Sequence, residues 1–347
     1  MIGGFIMAKR IGRYTLQMEN MPSVQGFASV CGKKESEGPL GKHFDQTFDD
    51  TTLGESSWEK AESRLQTEAV NRALEKASVN ASDIDFIFAG DLLNQCISST
   101  FGLKNLEIPF LGQYGACSTM AQTLALSSIM VDTGVAERCI AVTSSHFCSA
   151  ERQFRFPLEY GGQRTPTAQW TVTGSGAIVV GNTRESPCIS AITVGKIIDM
   201  GIKDANNMGA AMAPAAAATI TNFLKDTKSN PNDYDLILTG DLGTVGSKLL
   251  IELLQKDNID IKNKHSDCGV MIYDIKNQDV HAGGSGCGCS ASVLCSVILN
   301  QLKNGELSNV LFVATGALMS PTSSQQGESI PGIAHLVHLK SCSGKLN

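Results

Sequence analysis

No stretch of this 347-residue chain is apolar and long enough to span a bilayer, since a crossing helix needs ~20 strongly apolar residues. The nearest approach, residues 208–224, is rich in Ala and Thr and interrupted by Pro214. Its small side chains predict a helix packed closely against its neighbours. Blocks of Lys or Arg are also missing: 28 basic residues are spread among 34 acidic ones. That distribution argues against a nucleic-acid groove. A disulfide framework is not expected either. The cysteines number eleven, an odd count in a chain far larger than small stapled scaffolds, so free thiols in a reducing compartment are anticipated. The start, MIGGFIMAKRIG, carries its basic residues after the apolar stretch, the reverse of a secretory leader.

What is present is a regular alternation of strand-length apolar runs with helical patterns, the signature of α/β architecture. Strands are expected over residues 85–89, 138–143, 177–181, 236–239, 270–273 and 310–315, and helices over 58–77, 118–133, 248–256 and 290–303. A turn-rich stretch near 182–190 divides the chain into halves, 1–186 and 187–347. These halves echo each other. DFIFAGDL from Asp85 returns as DLILTGDL from Asp235, and in both a strand ends in Gly-Asp. Cys117 and Cys289 each open a helix, and each lies 26 residues before the threonine that ends the next strand, Thr143 and Thr315. Several echoes in the same order point to duplication. Ligands of open α/β sheets sit beyond the carboxyl ends of the strands, where Asp91, Cys117, Asp241 and Cys289 all fall.

Cys117, in Gly115-Ala-Cys-Ser-Thr119, meets the positive end of a helix dipole and its unpaired N–H groups. Such a place suits a thiolate nucleophile or a bound anion equally; a small buried cysteine is the plain alternative. Ser145 and His146 follow directly on a strand, with His146 able to face Cys117 across a site. Arg152, Arg155 and Arg164 offer cations to a carboxylate ligand. The run Gly283-Gly-Ser-Gly-Cys-Gly-Cys289 lacks the spacing of a dinucleotide fingerprint. A zinc set drawn from His281, Cys287, Cys289 and Cys295 lacks paired spacing, so its glycines are read as allowing close backbone approach.

The doubled plan, with a cysteine opening the helix of the first half, resembles the thiolase and 3-ketoacyl-ACP synthase III-like superfamily. The segments GPLGKHFDQTFDD, FLGQYGACSTM, TSSHFCSAERQFRFPLEYGGQ, LILTGDLGTVGS, HAGGSGCGCSA and VATGALMSPTSSQQGESIPGIAH are similar, more closely, to the AD family of stage V sporulation proteins. The resemblance implies a thiolase-like duplicated α/β fold, with two similar mixed-sheet halves in a layered αβαβα arrangement. It further implies a non-catalytic, peripheral component of the forespore or spore inner membrane that binds dipicolinic acid (pyridine-2,6-dicarboxylate), free or as its calcium complex. Partners would be the other subunits of the stage V sporulation A membrane complex and a second copy in a homodimer. Where condensing enzymes carry two further catalytic side chains, this sequence reads Gly240-Asp-Leu-Gly243 and Gly284–Gly288, without imidazole or amide. The expected ligand-binding set is therefore Cys117, Ser118, Thr119, Ser145, His146, Arg152, Asp241 and Gly288, with no metal, cofactor or catalytic residue. Acyl transfer through Cys117 is the alternative.

Overall fold

The computed structural model describes residues 8–155, 164–183 and 186–342, and of Arg155 the backbone alone. The leader reading of residues 1–7, the Arg155 side chain and Gln163 lie outside the described residues.

Five strands of the first half make one sheet: β1 (Ser23–Cys31), β2 (Phe86–Gly90), β3 (Phe110–Gly112), β4 (Arg138–Ser145) and β5 (Gly174–Gly181), in spatial order 3-2-4-5-1. The second half supplies β6 (Cys188–Thr193), β7 (Leu236–Thr239), β8 (His265–Asp267), β9 (Asn309–Ala317) and β10 (Gly332–Lys340), in order 8-7-9-10-6. The order is the same, and so are the directions. β2 runs parallel to β3 and β4, whereas β5 is antiparallel to β4 and β1. β7 runs parallel to β8 and β9, whereas β10 is antiparallel to β9 and β6. The sheets meet where Cys188 pairs with Ser23, and a hairpin of Lys9–Ile11 and Thr15–Gln17 crosses over to pair with β6.

Local chemistry repeats with the topology. Asp85, ahead of β2, accepts the N–H groups of Glu137 and Arg138 at 2.7 and 3.1 Å; Asp235, ahead of β7, accepts those of Ser308 and Asn309 at 2.7 and 2.9 Å. Each carboxylate ties the start of one strand to the start of its parallel neighbour. A capping box precedes both, Asn80 with Asp83 and Asn230 with Asp233.

Among the described residues, the helices that cover the sheets include α1 (Trp58–Ala77), α2 (Ile97–Leu103), α3 (Thr119–Asp132), α4 (Phe147–Arg155), α5 (Met208–Thr227), α6 (Gly243–Lys256) and α7 (Cys287–Val293). α1 covers the outer face of the first sheet and α5 that of the second, while α3 packs against strands of both and α7 lies with it in the central layer. Ser57 caps α1, its hydroxyl accepting from Lys60 N–H at 3.3 Å, and Ala61, Leu65, Ala69 and Ala73 bury one face. The small residues of α5 do as expected: a Cβ on Gly246 of α6 would lie 2.9 Å from Gly209 Cα. No helix among the described residues is long and apolar enough to cross a membrane.

Three expectations are corrected. Residues 270–273 form no strand, because Asp267 caps a helical turn, Cys268–Met271, and accepts Val270 N–H at 3.2 Å. A four-residue apolar run carries no period that would separate the two outcomes. The helix expected over 290–303 begins at Cys287 and widens into a π-helical turn over Leu294–Ile298. The thiols are not all free, since Cys188 and Cys342 are bonded. Cys188 opens β6 opposite Lys340, which puts Cys342 within reach just past β10; the other nine cysteines are unbridged.

Candidate functional site

Between β3 and α3 the chain turns through Ala116, whose backbone is left-handed (φ 51°), and this elbow delivers Cys117 ahead of the helix. Two hydroxyls brace it. Ser118 Oγ donates to Gly115 O at 2.6 Å, and Thr119 Oγ1 donates to Ala116 O at 2.6 Å while accepting Gly115 N–H at 3.0 Å.

Cys117 faces a cavity of about 80 Å³ walled mainly by Leu92, Tyr114, Phe154, Met208 and Met319, with Thr171, Ser285 and Glu151 as polar lining. One water needs ~10–15 Å³ on this measure, so the space suits a small molecule. Sγ lies 3.9 Å from Ser285 Oγ, which donates to Asp241 Oδ2 at 3.2 Å. Gly286 N–H and the Thr315 hydroxyl also donate to Asp241, both at 2.9 Å.

Burial raises the Asp241 carboxyl to about 6. Burial, and then the Asp241 charge, pushes the Cys117 thiol well above its ordinary value. Of the readings open for Cys117, this environment favours the small buried cysteine. A helix end contributes ~0.3–1 kcal/mol toward a negative charge, and desolvation beside a carboxylate outweighs it.

Only Cys117 of the expected set lines the cavity, with Asp241 one hydrogen bond behind it. The Ser118 and Thr119 hydroxyls are spent on the elbow. Ser145 Oγ donates to Val172 O at 2.6 Å and accepts Gly288 N–H at 3.2 Å. His146 turns from Cys117: Nε2 meets Thr51 O at 2.7 Å and Nδ1 accepts Cys148 N–H at 3.1 Å. Arg152 donates to Glu59 through Nε at 3.0 Å and lies over the Trp58 ring. Gly288 packs so closely that a Cβ would come 2.3 Å from Gly174 O, which bears out the close-approach reading of the glycine run. Asp91 is structural, accepting Leu93 N–H at 2.9 Å and the Ser99 N–H and hydroxyl at 2.8 and 2.6 Å. Arg164 pairs with the lining Glu151 at 3.5 Å.

The cysteines weighed for zinc face separate carbonyls: Cys287 that of Ser144, Cys289 that of Gly240 and Cys295 that of Ala177. His281 stands 3.4 Å from Asp279, and His335 accepts Gly195 N–H at 3.2 Å. None of the six histidines lines the cavity. Sequence reasoning missed Tyr114, Phe154, Thr171, Met208, Ser285 and Met319. Ser285 alone carried a signal, its place in the glycine run.

Comparison with known proteins completes the site's setting. The family description "Stage V sporulation protein AD" matches residues 12–340. The chain is 49% identical over 336 residues to stage V sporulation protein AD of Bacillus subtilis (strain 168), covering 97% of this chain and 99% of that protein. Among solved structures, 3-oxoacyl-[acyl-carrier-protein] synthase III of Aquifex aeolicus superposes with a TM-score of 0.57 at 13% identity, over 92% of this chain and 99% of that one. Cerulenin-bound OleA of Xanthomonas campestris does so at 0.58 and 12%, over 95% and 97%. At that identity the likeness is one of fold.

Proposed function

The chain belongs to the stage V sporulation protein AD family, and from that membership we propose that its cavity is a receptor for dipicolinate in a non-catalytic, peripheral subunit of the spore membrane apparatus. That apparatus would take up dipicolinate in sporulation and release it in germination, with this chain seated at the forespore or spore inner membrane among the other stage V sporulation A subunits. One observation carries the reading. The buried cysteine of a condensing-enzyme fold faces a serine and a carboxylate, with no imidazole in the cavity, so its thiol is held protonated. A cysteine without an imidazole partner suits holding a ligand better than acyl transfer. The aromatic and thioether walls, Tyr114, Phe154, Met208 and Met319, suit the faces of a planar ring. Glu151 and Asp241 disfavour a bare dianion, which is the reason to include the calcium chelate among the ligands tested. Isothermal calorimetry is expected to show saturable heat with dipicolinate, with or without calcium. No heat at millimolar ligand in both arms rejects the receptor.

The fold likeness, together with a cysteine at an elbow before the central helix, favours acyl transfer as the second reading. A covalent acyl adduct on Cys117 after incubation with acyl-CoA, read by intact mass, would establish that reading against the first.

We also propose a homodimer. β3 is the edge strand of the first sheet, and Phe110, Leu111 and Tyr114 on and after it are 39, 45 and 45% exposed. An uncovered apolar edge is a template for a second copy. Light scattering is expected to give twice 36.8 kDa, and Leu111→Asp a monomer. A wild-type monomer at micromolar concentration refutes this.

A further inference from the structure

Besides the β3 edge, a second group of exposed apolar side chains is Val194, Ile197 and Met200, 49, 62 and 67% exposed on the segment that leaves β6. Isolated exposed hydrophobics need no explanation, but large ones clustered in one short segment do. This segment starts beside the N-terminal hairpin, where Val194 N–H donates to Tyr14 O at 3.3 Å. Arg13 and Lys196 both stand over the Tyr14 ring, at 5.4 and 5.9 Å, and Arg10 Nε donates to Arg13 O at 3.1 Å. All three cations are exposed. Two ionised carboxylates stand beside these cations, each held by hydrogen bonds: Asp226 accepts the N–H groups of Arg13, Tyr14 and Thr15, and Asp199 accepts the Gly201 N–H and the Ser329 hydroxyl. The whole chain carries a formal charge of −6, so this cation group runs against the overall sign.

Apolar tips rimmed by cations, with an aromatic ring between them, are the surface chemistry that an anionic bilayer attracts: the cations meet headgroup phosphates and the apolar groups enter the acyl boundary. We propose that this face, Arg10, Arg13 and Lys196 with Val194, Ile197 and Met200, docks the protein on anionic lipid. The choice of a bilayer over an acidic protein rests on the peripheral-membrane reading given above; the face itself rests on exposure and charge. The same segment continues into Ala205 and Met208 of the cavity wall.

Flotation of the full chain with vesicles tests the proposal, using phosphatidylglycerol mixed with phosphatidylcholine against phosphatidylcholine alone. Flotation with the anionic vesicles, weakening as salt is raised, is expected. Arg10→Glu/Arg13→Glu/Lys196→Glu should partition about 100-fold less, and Ile197→Asp/Met200→Asp at least ~10-fold less with every cation in place. Failure of the folded wild type to float with anionic vesicles overturns the proposal, as does flotation of both variants at the wild-type level. A loss of oligomer mass in these variants assigns the face to a second copy and overturns it equally. Dipicolinate calorimetry on the same proteins keeps the two readings apart. Lost flotation with unchanged ligand heat places the defect at the docking face, whereas a wild type that floats without binding dipicolinate rejects the receptor alone.

Discussion

Replacing Ala317 with Trp abolishes the heat of dipicolinate binding, a loss of at least ~100-fold in affinity, while the protein stays folded. Ala317 closes β9, is 5% exposed and lines the cavity beside Cys117. An indole there occupies the space a ring-sized ligand needs. Overpacking costs ~1–3 kcal/mol where no space exists, and here part of the added bulk enters the cavity, so the melting temperature moves by a few degrees. His146→Ala is the informative contrast. Its ring bonds Thr51 O and Cys148 N–H and stands off the cavity wall, so this variant is expected to lose ~1–3 kcal/mol of stability and to bind within a few-fold of wild type. Calorimetry on both separates a cavity site from one across which His146 faces Cys117. Wild-type binding by Ala317→Trp rejects the cavity as the site.

Stability falls as pH rises from 6.5 to 8.5, and Glu62→Gln removes most of that loss. Glu62 is buried under β4, accepting the Ser144 hydroxyl at 3.0 Å and that of Ser149 at 2.6 Å. Burial, then the neighbouring Asp91 charge, raises its carboxyl to about 8, and burial raises Asp267 to about 7. A carboxyl raised in the fold keeps its proton where the unfolded chain has released it. The folded state then binds more protons, and stability declines with rising pH up to the folded value, by about 1.4 kcal/mol per pH unit for each such group. Buried neutral histidines work in the opposite sense at lower pH. Burial depresses His265 and His335 to about 4 and His338 to about 3, so below 6.5 their uptake of protons on unfolding makes stability rise with pH. Glu62, Asp267 and Asp241 oppose that rise below about pH 6, so stability is nearly level there and declines above it. Scanning calorimetry from pH 5 to 8.5 should show this profile, with a decline of ~2–4 °C per pH unit on the alkaline side. A flat alkaline limb, or the same decline in Glu62→Gln, contradicts this account.

Much of the fold was legible residue by residue. The helix over 58–77 and the strand over 236–239 match the structure at both ends, because a long amphipathic period and a bounded apolar run are local signals. The duplication was legible for the same reason: Asp85 and Asp235 do the same work at the same place in each half. Less was legible at the site. On β4, Ser144 and Ser145 follow one another, yet one bonds Glu62 of α1 and the other Val172 O. The alternation of a strand says that neighbours face opposite ways, but not which of them meets a cavity. Arg152 looked like a ligand's counter-charge until α1 brought Glu59 to it.

By itself, then, the sequence determined the α/β alternation, the doubled plan and the position of Cys117 at the turn into the central helix. Each of these depends on periods, caps and turns within a few residues. Tertiary structure decided what Cys117 faces. Ser285 lies 168 residues away along the chain, and the cavity walls come from segments of both halves. Such a neighbourhood exists only once the two sheets close on α3. That same closure strips water from the thiol and sets a carboxylate behind it, which is why Cys117, whose place at the helix end suited a thiolate, an anion site or a buried cysteine alike, sits in the folded protein as a neutral wall of a pocket.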